Sequence, residues 1–474
     1  MSATPARELE EARRRLVSQP PSSRAWMDLG HAHWKLGAYA QAKKAFTKAL
    51  ALGGATADDL CDFGVLRMTT GDHMRLARPL LERALATQPG HLGALEWLAY
   101  ARMVEADYAG AAQAYEDLGG RQPNEPRYPF LLALALRQSG RGPEALASLE
   151  RAAALNSAWF SRTRHPAHLA QLAQCLFVAG QADRARQTLT DFHRQNATVK
   201  PYWDYPEYLP GMHGRIARYQ EMVAGRDMVV LAKGPSLALF DQAAERFADL
   251  DLCYFIFNGP SAEDDILARV GRRASLACVS APNVLNNSLE WLRGFLARPE
   301  PNFFFTDAHC MNSLAVPGDG RQEMEARHGE RLMYFRAVHR HPPNLADPLH
   351  FPPINTLSMV LGLAALGRPR RVFLFGGDGM AAPRPRPDGA TFYYHADQER
   401  LNAGERDLDE YREAYQAWLR YDTVLFDAQM QANVACLAAS LGFEPPEIYN
   451  CSRQSAYQSM PKISLGACLA MLRQ

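Results

Sequence analysis

The chain has 474 residues, too many for one hydrophobic core, so two or three domains are expected before any motif is read. Apolar residues make up 47% and charged residues 22%, the balance of a folded globular chain, and 52 basic against 51 acidic side chains leave a formal net charge of +1. A charge so near zero excludes a whole-molecule field that would gather nucleic acid or anionic membrane, while local basic clusters stay possible.

Nearly all the basic residues are arginine, and from residue 201 onward the only lysines are Lys233 and Lys462. The eight cysteines (Cys61, Cys175, Cys253, Cys278, Cys310, Cys436, Cys451 and Cys468) are scattered, with no C-x-x-C pair and no metal-ligand spacing. They fit buried or free thiols in a reducing compartment. The start is polar and charged, and no apolar run approaches the ~20 residues that span a bilayer, so a cytoplasmic, bacterial-style protein without an anchor is expected.

The first 193 residues carry an internal repeat. Trp26-x-x-Leu29-Gly30, followed by Gly37, Tyr39, Ala42, Phe46 and Ala49, has the spacing of a tetratricopeptide (TPR) unit. The register recurs with Leu60, Gly64, Gly71 and Ala77, with Leu95, Ala99, Tyr108 and Ala111, with Ala133, Gly140 and Ala145, and with Ala173, Gly180 and Ala185. Equivalent early positions fall at 26, 60, 95, 129 and 169, steps of 34, 35, 34 and 40. Small residues let paired helices approach closely, and glycine or alanine at 37, 71, 106, 140 and 180 suits the turn between them. Five helical hairpins over residues 1–193 are expected, forming an all-α solenoid that recognises a partner protein or acceptor, with a scaffold or dimerisation spacer as the alternative.

Residues 194–226, rich in proline and aromatics, break this register and read as a linker, with a last helix near 214–223. Residues 227–474 read as a separate α/β domain. Apolar runs at 228–232, 252–258, 275–280, 302–306, 332–335 and 372–375 alternate with helical stretches near 238–248 and 354–366. A long helical stretch near 405–440, a short strand at 447–450 and a helix near 464–473 close the chain. Strands apolar throughout predict a mostly parallel, Rossmann-like sheet covered on both faces, with its ligand outside the carboxyl ends of the strands.

Four segments stand at such ends. Lys233-Gly234-Pro235-Ser236 follows the first strand, where glycine lets backbone N–H groups approach an anion and Ser236 can cap the next helix or bond a phosphate. Asn258-Gly259-Pro260-Ser261 follows the second. Gly376-Gly377-Asp378-Gly379 follows the strand at 372–375, where Asp378 can orient a sugar, hold a helix end or position a cation. Near the last strand, Asn450, Ser452, Ser455 and Lys462 offer an amide, hydroxyls and a point cation. Ordinary turn chemistry is the bland alternative at each. The histidines give no clear choice of general base: His395 follows a proline-rich stretch at 381–390 with the makings of a lid, His309, His339 and His341 lie near other segments, and a surface or structural histidine is the alternative at each. No H-x-x-x-H or carboxylate pair marks a metal site, and no tightly bound cofactor is expected.

Taken together, ValValLeuAlaLysGlyProSerLeu (229–237), CysTyrPheIlePheAsn (253–258), the stretch 354–378 and IleTyrAsnCysSer with ProLysIleSerLeu (448–452, 461–465) resemble the bacterial lipooligosaccharide sialyltransferases, over roughly residues 227–465. They also resemble the motility-accessory-factor glycosyltransferases and the archaeal 6-hydroxymethylpterin diphosphokinases. The resemblance implies a transferase that uses a nucleotide sugar, CMP-sugar favoured, with Gly234, Pro235, Ser236, Asn258, Asn355 and Thr356 on the nucleotide side. Lys233, Gly376, Asn450, Ser452 and Lys462 join them as donor-binding candidates, and His395 and Asp378 as catalytic ones. The diphosphokinase branch carries a histidine- and aspartate-rich metal motif that this chain lacks.

Overall fold

The computed structural model describes residues 5–18, 22–70, 74–164, 166–195, 212–232, 234, 236–257, 275–280, 294–299, 301–307, 325–337, 350–351, 356–379, 407–441 and 443–474. They fall into two compact units, Met1–Ser148 with Arg400–Tyr421, and Leu149–Glu399 with Asp422–Gln474. The division does not coincide with the expected boundary at residue 193, and a segment far along the chain joins the first unit.

Helix α1 (Pro5–Ser18) precedes five hairpins: α2 (Ser23–Lys35) with α3 (Tyr39–Leu52), α4 (Ala57–Thr69) with α5 (Met74–Thr87), α6 (Leu92–Val104) with α7 (Tyr108–Arg121), α8 (Arg127–Gln138) with α9 (Gly142–Thr163), and α10 (Pro166–Val178) with α11 (Ala182–Gln195). The small residues sit where the helices touch. A Cβ on Gly30 would lie 3.0 Å from the Phe46 ring, and one on Gly64 3.0 Å from Leu81. Ala42, Ala77, Ala99, Ala111 and Ala173 are completely buried.

Side-chain caps start several helices. Ser22 accepts from the Ala25 N–H, Asp107 from the Gly110 N–H, and Thr56 and Asp59 form a reciprocal capping box. Gly37, Gly140, Gly180 and also Ala106 turn from first to second helix with positive φ; Gly71 lies outside the described residues. The long last step of 40 has a local cause: α9 has 22 residues where α3, α5 and α7 have 14.

The opening helix is polar and charged in sequence, yet its Leu9, Ala12 and Leu16 share one face and pack with Trp26, Leu29 and Ala45. Glu8 pairs with Lys35 at 2.7 Å, and Arg15 with Asp28 at 2.9 Å, across the same contact.

In the second unit, helix α12 (Met212–Val223) leads into an eight-stranded, all-parallel sheet: β1 (Asp227–Leu231), β2 (Leu252–Phe257), β3 (Ser275–Ser280), β4 (Asn302–Asp307), β5 (Leu332–Ala337), β6 (His350–Phe351), β7 (Arg371–Phe375) and β8 (Glu447–Asn450). The two-residue β6 has no apolar run in the sequence to announce it. The order β6-β5-β4-β3-β2-β1-β7-β8 places β1 between β2 and β7, so strand addition reverses direction between β1 and β7. Such a switch point is where open parallel sheets leave a crevice at their carboxyl ends.

β1 and β7 are buried along their whole length, as strands covered on both faces must be. Tyr219 of α12 is completely buried between Phe303 and Phe305, and its hydroxyl donates to the Leu363 carbonyl at 3.2 Å, which satisfies the one polar atom buried there. Further α-helices are α13 (Leu237–Asp241), α14 (Thr356–Leu366), α15 (Leu408–Leu441) and α16 (Leu465–Leu472), with 3-10 turns at Ala244–Arg246 and Gly329–Arg331. Residues of α15 up to Tyr421 belong to the first unit and those from Asp422 to the second.

At the amino end of the switch point, Asp227 and its register neighbour Arg371 form a bidentate pair, with Nε at 3.0 Å and Nη2 at 2.6 Å from the carboxylate. Arg370 makes a second bidentate contact to the same carboxylate. Burial alone would raise the Asp227 pKa, but the two guanidinium groups outweigh it and hold the carboxyl below its ordinary value.

Candidate functional site

The turns after β1, β7 and β8 converge. The Ala232 N–H donates to the Phe375 carbonyl and the Gly234 N–H to the Gly376 carbonyl, at 2.8 and 2.9 Å, so the two turns continue the strand ladder. Asp378 is the clasp. Its Oδ2 accepts from the Ser236 N–H at 2.8 Å, and its Oδ1 from the Ser452 hydroxyl at 2.5 Å. Its own carbonyl accepts from the Ala456 N–H at 2.7 Å.

The third turn is tied in by amide and hydroxyl groups. Asn450 Nδ2 donates to the Gly377 carbonyl at 2.8 Å and to Ser455 Oγ at 3.0 Å, while its Oδ1 accepts from the Ser452 N–H. Ser455 Oγ in turn donates to the Gly377 carbonyl at 2.7 Å, and Lys462 Nζ to the Ser455 carbonyl at 2.6 Å. Asp378, Asn450, Ser452 and Ser455 are all buried. Gly234 and Ser236 are half-buried and form the outer part of the cluster.

Seven of the expected site residues, Gly234, Ser236, Gly376, Asp378, Asn450, Ser452 and Lys462, are thus brought together. Their polar groups are used largely on one another. Ser236 does not cap the following helix: α13 has only five residues, and Ser236 Oγ accepts instead from the Gly376 N–H at 3.1 Å. Gly376 has a φ of 71°, and a Cβ there would stand 2.1 Å from the Ala232 carbonyl oxygen, so glycine is required by the fold of the turn itself. Thr356 begins α14. Lys233, Pro235, Asn258, Asn355 and His395 lie outside the described residues, as do His309, His339 and His341.

One titratable group near this cluster carries no motif in the sequence. Thr423 of α15 lies against the turn at Gly379, where a Cβ would be 2.8 Å from its methyl group. The preceding residue, Asp422, has its carboxyl pushed up by burial to a pKa of about 7. Nothing in the local sequence announces that shift, because burial is set by tertiary packing.

In the first unit, the hairpin face around repeats two and three carries a segment of this same chain. Tyr100 of α6 packs against Trp418 and Tyr421 of α15, with ring centroids 5.4 and 4.7 Å apart. Arg75, at the start of α5, pairs with Glu410 at 2.9 Å. The surface therefore accepts an aromatic helix with an acidic start.

Among the described residues no group of three or more histidine, cysteine, aspartate or glutamate side chains is placed to hold a metal ion, and no helix is long and apolar enough to cross a membrane. Cys61, Cys175, Cys253, Cys451 and Cys468 are buried free thiols.

Residues 11–128 match the family described as the cytochrome c-type biogenesis protein H TPR domain, and residues 130–194 match the tetratricopeptide repeat family. The N-terminal part of the chain, to about residue 194, is therefore a TPR array, a class of repeat that mediates protein interaction. Solved structures similar to the chain include YrrB, described as a TPR protein with an unusual peptide-binding site, at 19% identity over 32% of this chain and 77% of that one, with a TM-score of 0.30. MamA from Desulfovibrio magneticus RS-1 aligns at 15% identity over 37% of this chain and 96% of its own, with a TM-score of 0.32. The C-terminal part of a TPR protein from Cytophaga hutchinsonii aligns at 14% identity over 46% and 81%, with a TM-score of 0.34. No curated protein matches the chain significantly.

Proposed function

We propose that the chain is a two-part glycosyltransferase. Its TPR hairpins recognise a protein partner or acceptor, and its Rossmann-like sheet takes a nucleotide-activated sugar, CMP-sugar favoured, at the β1–β7 switch point. The observation that carries this reading is the strand order, which puts the Gly234 and Gly376 turns side by side at the place where parallel sheets leave a ligand crevice.

In this reading Gly234, Ser236 and the adjoining Lys233 and Pro235 face the nucleotide, with Asn258, Asn355 and Thr356 from neighbouring strand and helix ends. Asp378 acts as a positioning residue, because its carboxylate fixes the Ser236 N–H and the Ser452 hydroxyl. His395 removes the proton from the acceptor hydroxyl. The acceptor oxygen then bonds to the anomeric carbon, and the nucleotide leaves with the electron pair of the broken glycosyl–phosphate bond, its phosphate charge met by Lys233 or Lys462.

A second reading is favoured by one observation. Because Asp378, Asn450 and Ser452 are buried and bonded to one another, the same geometry serves a non-catalytic TPR scaffold. Thermal-shift titration of the full chain with CMP, UDP, GDP and ATP plus magnesium separates the readings. Stabilisation by CMP supports the transferase. A response to ATP with magnesium alone supports phosphoryl transfer of the pterin diphosphokinase kind, and no response to any of the four leaves the scaffold.

A further inference from the structure

A cavity of about 850 Å³ lies in the sheet unit, away from the strand-end cluster. Its wall comes from three separated stretches: the start of α12, residues 296–299 just before β4, and residues 325–331 just before β5. In a parallel sheet the residues that precede strands stand at its amino ends, so this cavity opens on the side opposite the turns of Gly234 and Asp378.

Its lining is dominated by guanidinium groups. Arg215, Arg218, Arg298, Arg327 and Arg331 face two carboxylates, Glu325 and Glu330, which leaves an excess of three positive charges among the lining residues, with His328 adding to it when protonated. The frame is built rather than loose. Arg331 Nη1 donates to the carbonyls of Leu296 and Arg298 at 3.0 and 3.2 Å, which ties two walls together. Arg215 pairs with Glu325 at 2.8 Å while its Nη1 donates to the Leu332 carbonyl at 2.9 Å, which ties the third. Arg218 pairs with Glu330, whose side chain is largely exposed.

We propose that this cavity binds a small phosphorylated molecule with at least two negative charges, at a site distinct from the nucleotide-sugar site proposed above and independent of it. The volume is in the range of small-ligand pockets and well beyond a single phosphate. Arginine is the side chain whose planar fork matches phosphoryl oxygens in pairs, and this cavity holds five arginines and no lysine. Glu330 competes with the ligand for Arg218, so the ligand displaces that carboxylate as it enters.

The test is calorimetric titration of the full chain with pyrophosphate at fixed ionic strength, with inorganic phosphate as the weaker comparison. The wild type binds pyrophosphate one to one. Arg327→Gln, at an exposed position, weakens binding about three- to tenfold, and Glu330→Gln tightens it, an opposite sign that a merely structural role does not produce. Arg83→Gln, exposed on α5, leaves it unchanged. The proposal is overturned if wild type shows no stoichiometric binding, if Arg83→Gln weakens binding as much as Arg327→Gln does, or if binding is insensitive to both Arg327 and Glu330, which would place the anion elsewhere.

Discussion

Gly234 and Asp378 approach so closely that a Cβ added at 234 would lie 2.3 Å from the Asp378 carboxylate and 2.4 Å from the Gly376 carbonyl oxygen. The carbonyl belongs to backbone held in the strand ladder and cannot step aside. Gly234→Ala should therefore destabilise the sheet unit by about 1–3 kcal/mol, the usual range for overpacking. Denaturant unfolding compared with wild type measures it, and an unchanged midpoint would show that the two turns have room to part.

Ala106 offers the opposite case. It turns from α6 to α7 with a φ of 62°, where the equivalent positions 37, 140 and 180 hold glycine with φ between 72° and 77°. A Cβ in this region costs roughly 1 kcal/mol, so Ala106→Gly should raise stability by about 0.5–1 kcal/mol despite the added freedom of the unfolded chain. Melting curves of the two proteins decide the matter; a lower melting temperature for the variant would count against it.

Asp422 should make stability fall as pH rises. Its folded pKa of about 7 lies above the ordinary carboxylate value, so the folded state holds a proton that the unfolded chain has released. The favourable contribution is complete below about pH 4 and is lost as pH rises toward 7. Asp422→Asn, which stays neutral, should flatten this slope and be more stable than wild type at pH 8 by up to a few kcal/mol. Melting temperatures of both proteins from pH 5 to 8.5 give the comparison, and parallel profiles would exclude the shift.

Asp227 has the reverse sign. Its pKa is lowered by Arg371 and Arg370, so its stabilisation is present above the ordinary carboxylate pKa and is lost as pH falls through the lower folded value. Asp227→Ala leaves the mostly buried Arg371 without its carboxylate and should cost about 3–5 kcal/mol near neutral pH. Urea unfolding at pH 7 reads this directly, and a cost under 1 kcal/mol would mean that solvent replaces the pair.

The repeats were legible because their information is one-dimensional: the same small residues recur at nearly the same step, and each needs only its neighbours to be satisfied. Strands were legible as apolar runs, but their order was not, since nothing in the sequence of 371–375 says that it joins β1 on the side away from β2. Glycine-bearing turns at strand ends were visible in the sequence, and the structure brings those of Gly234 and Gly376 side by side. Their cause lay elsewhere than expected, in the contact of two turns that are more than 140 residues apart, with Asp378 spent on Ser236 and Ser452. Helix α1 escaped notice because its charged residues outnumber Leu9, Ala12 and Leu16. The arginine cavity was unreadable because no stretch of sequence contains more than a few of its five guanidinium groups.

The make-up of the first unit also sets an order in time. Its first segment ends at Ser148, but the residues that finish it begin at Arg400. At cellular rates of about 5–20 residues per second, roughly 13–50 s of synthesis separate the two. During that interval the early hairpins have left the ribosome while Trp418 and Tyr421, the rings that pack on Tyr100, do not yet exist. The nascent chain thus displays an aromatic face to whatever waits at the exit tunnel before any segment of its own can cover it, and a chain that stops short of residue 408 keeps that face on display permanently.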